Sequence, residues 1–157
     1  MTLAAVAIGA NLGDRRATVL WAVDELALVL HDLRLSRVIE TEPVEVLEPQ
    51  PPYLNAVVAG ETDLPVHALF DRLRALEQQR GRTRLTHHAA RTLDLDLVFY
   101  GSLVLATPSL TVPHPRFRQR RFVLEPLVDV AGDWIDPQTG QSAAALLAAL
   151  EAKEKGA

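Results

Sequence analysis

Arg91-Thr92-Leu93-Asp94-Leu95-Asp96-Leu97, followed by Val98-Phe99-Tyr100-Gly101, alternates leucine with polar residues through Leu97. A period of two is the signature of a β-strand, in which successive side chains point to opposite faces. Leu93, Leu95 and Leu97 fill one face. Asp94 and Asp96 share the other, with Cα atoms roughly 6.6 Å apart at a strand rise of about 3.3 Å per residue. Two carboxylates held side by side on a rigid strand repel each other unless a cation lies between them. Hard oxygen ligands with arginine close by point to Mg²⁺ carrying a polyphosphate. The alternative is a half-exposed strand whose Asp residues merely face water, and the depletion of Asp in strands weighs against it.

Upstream of this strand the chain divides into regular pieces. Residues 3–8 read as a buried first strand, and Gly9-Ala10-Asn11-Leu12-Gly13 as the turn leaving it. Asp14 is placed to cap a helix running to about Leu30, with Val19, Val23, Leu26 and Leu30 on its apolar stripe. Residues 34–41 read as a second strand. Residues 42–52 hold Pro43, Pro49, Pro51 and Pro52, a loop long enough to expect a functional part. Residues 53–62 alternate as a third strand, with Leu54, Ala56 and Val58 opposite Tyr53, Asn55 and Val57. Pro65 opens a second helix carrying Leu69, Leu73 and Leu76, which Gly81 ends. Residues 82–90 are polar and predict a loop. Beyond the Asp-bearing strand come residues 110–112, a Pro- and Arg-rich segment, and an Ala/Leu helix beginning at Ser142. The order β-α-β-β-α-β predicts an α+β fold, the ferredoxin-like split β-α-β arrangement of helices on an antiparallel sheet. Such a fold hosts many chemistries, so function rests on the site.

The chain of 157 residues, 48% of them apolar, suits a single domain over 1–157 with a frayed tail at about 153–157. It holds no cysteine, which excludes disulfides, zinc-thiolate sites and a thiol nucleophile. No signal-peptide pattern or bilayer-length apolar run is present, so a cytoplasmic protein without a membrane partner is expected. A net charge of −4 argues against nucleic-acid binding. Arginine is nevertheless concentrated at 80, 82, 84 and 91, and again at 116, 118, 120 and 121. An acidic chain that gathers arginine around two aspartates is suited to a small, highly charged anion.

Phosphoryl transfer needs metal ligands, cationic clamps and a pocket that aligns the nucleophile. Asp94 and Asp96 can supply the first; Arg82, Arg84, Arg91, His114 and Arg120 can supply the second, since guanidinium forks match phosphate oxygens. There is no Walker-type P-loop and no kinase glycine-rich loop. Taken singly, each residue has a plainer role: Asn55 as a satisfied core amide, Tyr53 and Phe122 as core aromatics, His114 as a rigid loop residue, the arginines as a solvated face. Their ordered combination is what favours chemistry.

That combination resembles the 6-hydroxymethyl-7,8-dihydropterin pyrophosphokinases of folate biosynthesis from end to end. The matching segments are Ala7-Ile8-Gly9-Ala10-Asn11-Leu12-Gly13, Tyr53-Leu54-Asn55-Ala56-Val57, Glu77 with Gly81-Arg82, Arg91 through Asp96, and Val112-Pro113-His114-Pro115 with Arg120-Arg121-Phe122. The resemblance implies attack of the pterin hydroxymethyl oxygen on the β-phosphorus of ATP, giving AMP and the pterin pyrophosphate. It implies two Mg²⁺ ions on Asp94 and Asp96, with Arg82 and Arg91 also catalytic. ATP would be held by Glu77, Arg82, Arg84, Arg91, Thr111, His114 and Arg120. The pterin would be held by Thr41, Val44, Tyr53, Asn55, Asp94 and Phe122, the last stacking on the ring. Departures from the family pattern are His88 where tryptophan is frequent, Ala89-Ala90 for Gly-Pro, Glu45 for glycine and Ala10 for serine. None removes a metal ligand or core phosphate arginine, so an active enzyme that works as a monomer is expected. The competing readings are a non-catalytic nucleotide- or pterin-binding relative and a ferredoxin-like RNA-binding module. The retained Asp and Arg cluster opposes the first. Against the second stand the acidic charge and the lack of an aromatic-rich RNP-type strand.

Overall fold

The computed structural model describes residues 1–41, 52–80 and 92–156. In chain order the elements are β1 (Thr2–Ala10), α1 (Arg15–Leu26), β2 (His31–Leu35), β3 (Ile39–Thr41), β4 (Tyr53–Thr62), α2 (Val66–Gln79), β5 (Leu93–Tyr100), β6 (Leu105–Ala106), β7 (Thr111–Val112), α3 (Arg121–Ala131) and α4 (Ala143–Lys155). The main sheet runs β2-β4-β1-β5, with β3 also paired to β4. Every pairing in it is antiparallel. Helices lie on both of its faces, and the expected α+β, ferredoxin-like order is present.

Alternation divides the apolar residues between the two faces. Ala4, Val6, Ile8, Ala56, Val58, Leu93, Leu95 and Leu97 pack against α1 and α2. Ala5, Val57, Ala59, Val98 and Phe99 pack against α3 and α4. Both Val98 and Phe99 reach the second cluster because β5 bulges where it passes Ala5 and Val6. Asp14 caps α1, its carboxylate accepting from Ala17 N–H at 3.1 Å, and Gly13 enters that cap at a φ of 71°, which glycine adopts without strain.

Four local expectations need correction. The first helix ends at Leu26 rather than near Leu30, and Leu30 N–H still donates to Leu26 O at 2.8 Å as the chain turns into β2. The second strand is two, β2 and β3. At the break Ser36 N–H donates to Val57 O at 3.0 Å, while the Ser36 hydroxyl accepts from Val57 N–H at 2.8 Å. The segment read only as Pro- and Arg-rich contains α3, with Pro126 inside it. Finally, β1 runs on through Gly9 and Ala10, which were expected in the turn leaving it, because both pair with β4 and β5. Among the described residues, no helix is long and apolar enough to cross a membrane.

Candidate active site

The sheet face under α3 is core at one end and open at the other. Along β1 it presents Ala5, Ala7 and Gly9; along β4, Ala59, Val57, Asn55 and Tyr53; along β5, Phe99, Asp96 and Asp94. Helix α3 covers the first residues of each series, and its N-terminal end leaves the last ones lining a cavity of about 260 Å³. The register sets the geometry. Gly9 lies between Asn55 on one side and Asp94 on the other, and Ala7 lies between Val57 and Asp96. Two of the smallest side chains on the central strand therefore form the floor, with polar groups on both flanks. A methyl group built on Gly9 would meet Asn55 Oδ1 at 3.5 Å, Tyr53 Cδ1 at 3.7 Å and Asp94 Cβ at 3.9 Å.

Thr41, Tyr53, Asn55, Asp94, Asp96, Arg120 and Phe122 all line this cavity. Asn55 is 7% exposed, and its amide Nδ2 donates to Thr41 Oγ1, which fixes the amide's orientation and turns Oδ1 toward Gly9. Arg15 ties the rim together, donating to Pro52 O and lying 3.6 Å from Glu40, so it holds the residues just before Tyr53 and Thr41. The guanidinium of Arg120 sits 5.6 Å from the centre of the Phe122 ring, placing a cation beside an aromatic face.

His114 does not line the cavity; it follows β7 in a turn where the Val112–Pro113 peptide is cis and His114 N–H donates to Val98 O at 2.8 Å. Burial holds its imidazole below the ordinary value of 6.5, against the raising pull of Asp96, and with Arg120 and Arg116 adding to the depression. Its Nδ1 accepts from Arg116 N–H at 3.1 Å, so the neutral ring carries its proton on Nε2.

Other expected site residues lie elsewhere. Glu77 is not in the cavity wall but 1% exposed beneath β5. Its Oε2 accepts from Leu95 N–H at 2.8 Å and its Oε1 from Arg74 at 2.7 Å. It thereby pairs the outer edge of the strand between the two aspartates. Thr111 is exposed on β7, outside the cavity wall. Val44, Arg82, Arg84 and Arg91, like Glu45 and His88, lie outside the described residues. Of the second arginine group only Arg120 lines the cavity, since Arg118 binds Asp136 and Arg121 binds Glu125, Glu151 and Glu154. Sequence reasoning placed Gly9 in a turn and assigned no part in the site to Ala7 or Arg15. For the first two, the run of small residues at 5, 7 and 9 on one strand face was the available signal.

Asp94 and Asp96 are half-buried hard-oxygen donors on one face. Among the described residues they have no third His, Cys, Asp or Glu with which to form a protein-only metal cluster. That donor set fits Mg²⁺, which takes one or two carboxylates and fills its remaining positions with phosphate oxygens and water.

The family model for 7,8-dihydro-6-hydroxymethylpterin-pyrophosphokinase (HPPK) matches residues 5–132. The 2-amino-4-hydroxy-6-hydroxymethyldihydropteridine pyrophosphokinase of Synechocystis sp. is 40% identical over 140 residues, covering 88% of this chain and 71% of its own. The Haemophilus influenzae enzyme of the same name is 34% identical over 142 residues, covering 88% of both chains. A folic acid synthesis protein of Pneumocystis carinii is 36% identical over 140 residues, 88% of this chain; there the match spans only 19% of a much longer relative. The fold is shared with the wild-type HPPK-DHPS chain of Plasmodium falciparum. That match has a TM-score of 0.77 at 10% identity and covers 99% of this chain and 46% of the other.

Proposed function

Because the chain belongs to the 7,8-dihydro-6-hydroxymethylpterin-pyrophosphokinase family, we propose that it transfers pyrophosphate from ATP to 6-hydroxymethyl-7,8-dihydropterin. The products are AMP and the pterin pyrophosphate. The observation that carries this reading is the cavity itself, where Asn55 and Tyr53 stand across the Gly9 floor from Asp94 and Asp96, with Arg120 and Phe122 together at the N-terminal end of α3. Tyr53 and Phe122 take the flat heterocycle. Asn55 Oδ1 accepts from N–H groups on the pterin edge, its orientation already fixed by Thr41. Arg120 draws the phosphates toward the Asp strand, and neutral His114 donates through Nε2–H. Arg82, Arg84 and Arg91 complete the phosphate contacts, with Val44 on the pterin side and Thr111 on the nucleotide side. Glu77 acts on the nucleotide through the strand it holds.

In the reaction a bond forms between the hydroxymethyl oxygen and the β-phosphorus while the bond from that phosphorus to the α,β-bridging oxygen breaks, so AMP leaves and the hydroxyl proton passes to water. Asp94 and Asp96 would hold two Mg²⁺ ions, which when bound neutralise the triphosphate and align the attacking and leaving oxygens. A loose transition state needs positioning and charge stabilisation more than a strong base. The proposed enzyme works in the cytoplasm and as a monomer, the latter a state that sedimentation can check. The test is an assay with Mg²⁺-ATP and the dihydropterin in which the nucleotide product is identified. AMP with pterin pyrophosphate is expected and should vanish with EDTA. ADP would overturn the β-phosphorus assignment, and pterin binding without product would identify a non-catalytic relative.

A further inference from the structure

Residues 117–122 face two ways. Arg120 and Phe122 line the cavity, whereas Arg118 turns back into the protein. Its Nε donates to Asp136 Oδ2 at 2.6 Å, and its Nη2 donates to Asp136 Oδ1 and Gln138 Oε1, each at 2.8 Å. Asp136 is fully buried. It also accepts from Thr139 Oγ1 at 2.7 Å and from Gln138 N–H at 3.1 Å. Its own backbone closes the turn, with Gly140 N–H donating to Asp136 O at 2.8 Å and Asp136 N–H donating to Gln141 O at 2.9 Å. A two-pronged guanidinium–carboxylate pair of this kind fixes direction as well as distance.

The turn is tied in its own right to the strand that bears Asp94 and Asp96. Trp134 stacks on Phe99 with ring centres 4.0 Å apart and planes 4° from parallel, and its Nε1–H donates to Gly101 O at 2.9 Å. Phe117 closes the circuit, edge-on to Trp134 at 6.0 Å and beneath the Arg118 guanidinium at 4.6 Å. One continuous path therefore runs from β5 through Trp134, Asp136 and Arg118 to the segment carrying Arg120 and Phe122. It joins the two walls of the cavity from behind, and Asp136 lies beyond the residues the family model matches.

We propose that Arg118 and Asp136 are positioning residues: their buried pair sets the gap between the Asp94/Asp96 wall and the Arg120/Phe122 wall while neither lines the cavity. This rests on the reaction proposed above. Asp136→Asn preserves shape and weakens the pair, and Arg118→Lys keeps the charge but loses the fork. In the full chain at 25 °C, Asp136→Asn should raise KM for the dihydropterin and lower kcat. A displacement near an ångström predicts a combined loss on the order of tenfold to a hundredfold in kcat/KM, and Arg118→Lys should fall between that variant and wild type. Val130→Ala, which thins the same core, is the control for stability loss alone and should leave both constants near wild type at 25 °C. If Asp136→Asn and Arg118→Lys melt lower, as Val130→Ala does, yet keep wild-type KM and kcat, the pair is only structural and the proposal is overturned. Should Asp136→Asn not fold, Arg118→Lys decides the question by the same two constants. A wild-type chain that forms no pterin pyrophosphate would overturn the reaction itself, and this inference with it.

Discussion

Asp94 and Asp96 stand on one half-buried strand face, and each is proposed to hold metal. Asp96→Ala should therefore abolish turnover while the chain still folds, with a thermal midpoint within about 2 °C of wild type. Turnover like wild type at limiting Mg²⁺ would refute the metal assignment. Phe122 is a different case, since its ring stands beside Arg120 at the cavity wall and is proposed to take the heterocycle rather than the triphosphate. Phe122→Ala should weaken dihydropterin binding by much more than ATP binding in direct titrations, and equal losses would show the ring to be misassigned.

At the scale of elements, the legible parts were those whose pattern is local. Strand β4 occupies the residues that alternation marked, and α2 begins after Pro65 with Leu69, Leu73 and Leu76 buried. Helix α3 was hidden because Pro126 interrupts it and arginines crowd its start, although Val123, Leu124, Leu127 and Val130 keep helical spacing. It survives a proline because the sheet face supplies its stability through packing rather than through propensity. The division of β2 from β3 was not legible either. It depends on Ser36 meeting Val57, a long-range pairing with no local signature. Ser36→Ala leaves the buried Val57 N–H without that acceptor, so a loss of about 1–3 kcal/mol is expected in denaturant unfolding. The candidate site was legible for a similar reason: cavity-lining residues such as Asp94, Asp96 and Asn55 sit in dense motifs, whereas the Arg118–Asp136 brace joins segments that carry no motif.

For the whole molecule, two acidic residues couple the α3 side to distant segments. Burial disfavours the Asp136 carboxylate, but hydrogen bonds from Arg118, Thr139 and Gln138 N–H prevail and hold its pKa below the ordinary 3.8. Asp129 is lowered likewise, chiefly by the Arg37 side chain. A depressed carboxylate contributes stability that is present above its unfolded value and is lost as pH falls through the folded one. Melting midpoints should thus drop as pH falls below about 4, and Asp136→Asn should flatten that slope in a pH series of thermal scans. A slope unchanged in the variant would assign the acid sensitivity to other carboxylates.

The sheet order has one more consequence, for how the chain reaches this state. Its first strand, β1, is interior to the sheet, flanked by β4 and by β5, whose last residue is Tyr100. During synthesis β1 emerges before β4 and β5, so one of its edges has no partner until residue 100 has left the ribosome. Over that interval an alanine-rich strand offers unpaired amides and carbonyls to any neighbour. Its native contacts are distant in sequence, which slows folding and prolongs the exposure. The strand that floors the active site is therefore also one that leaves the nascent chain open to self-association.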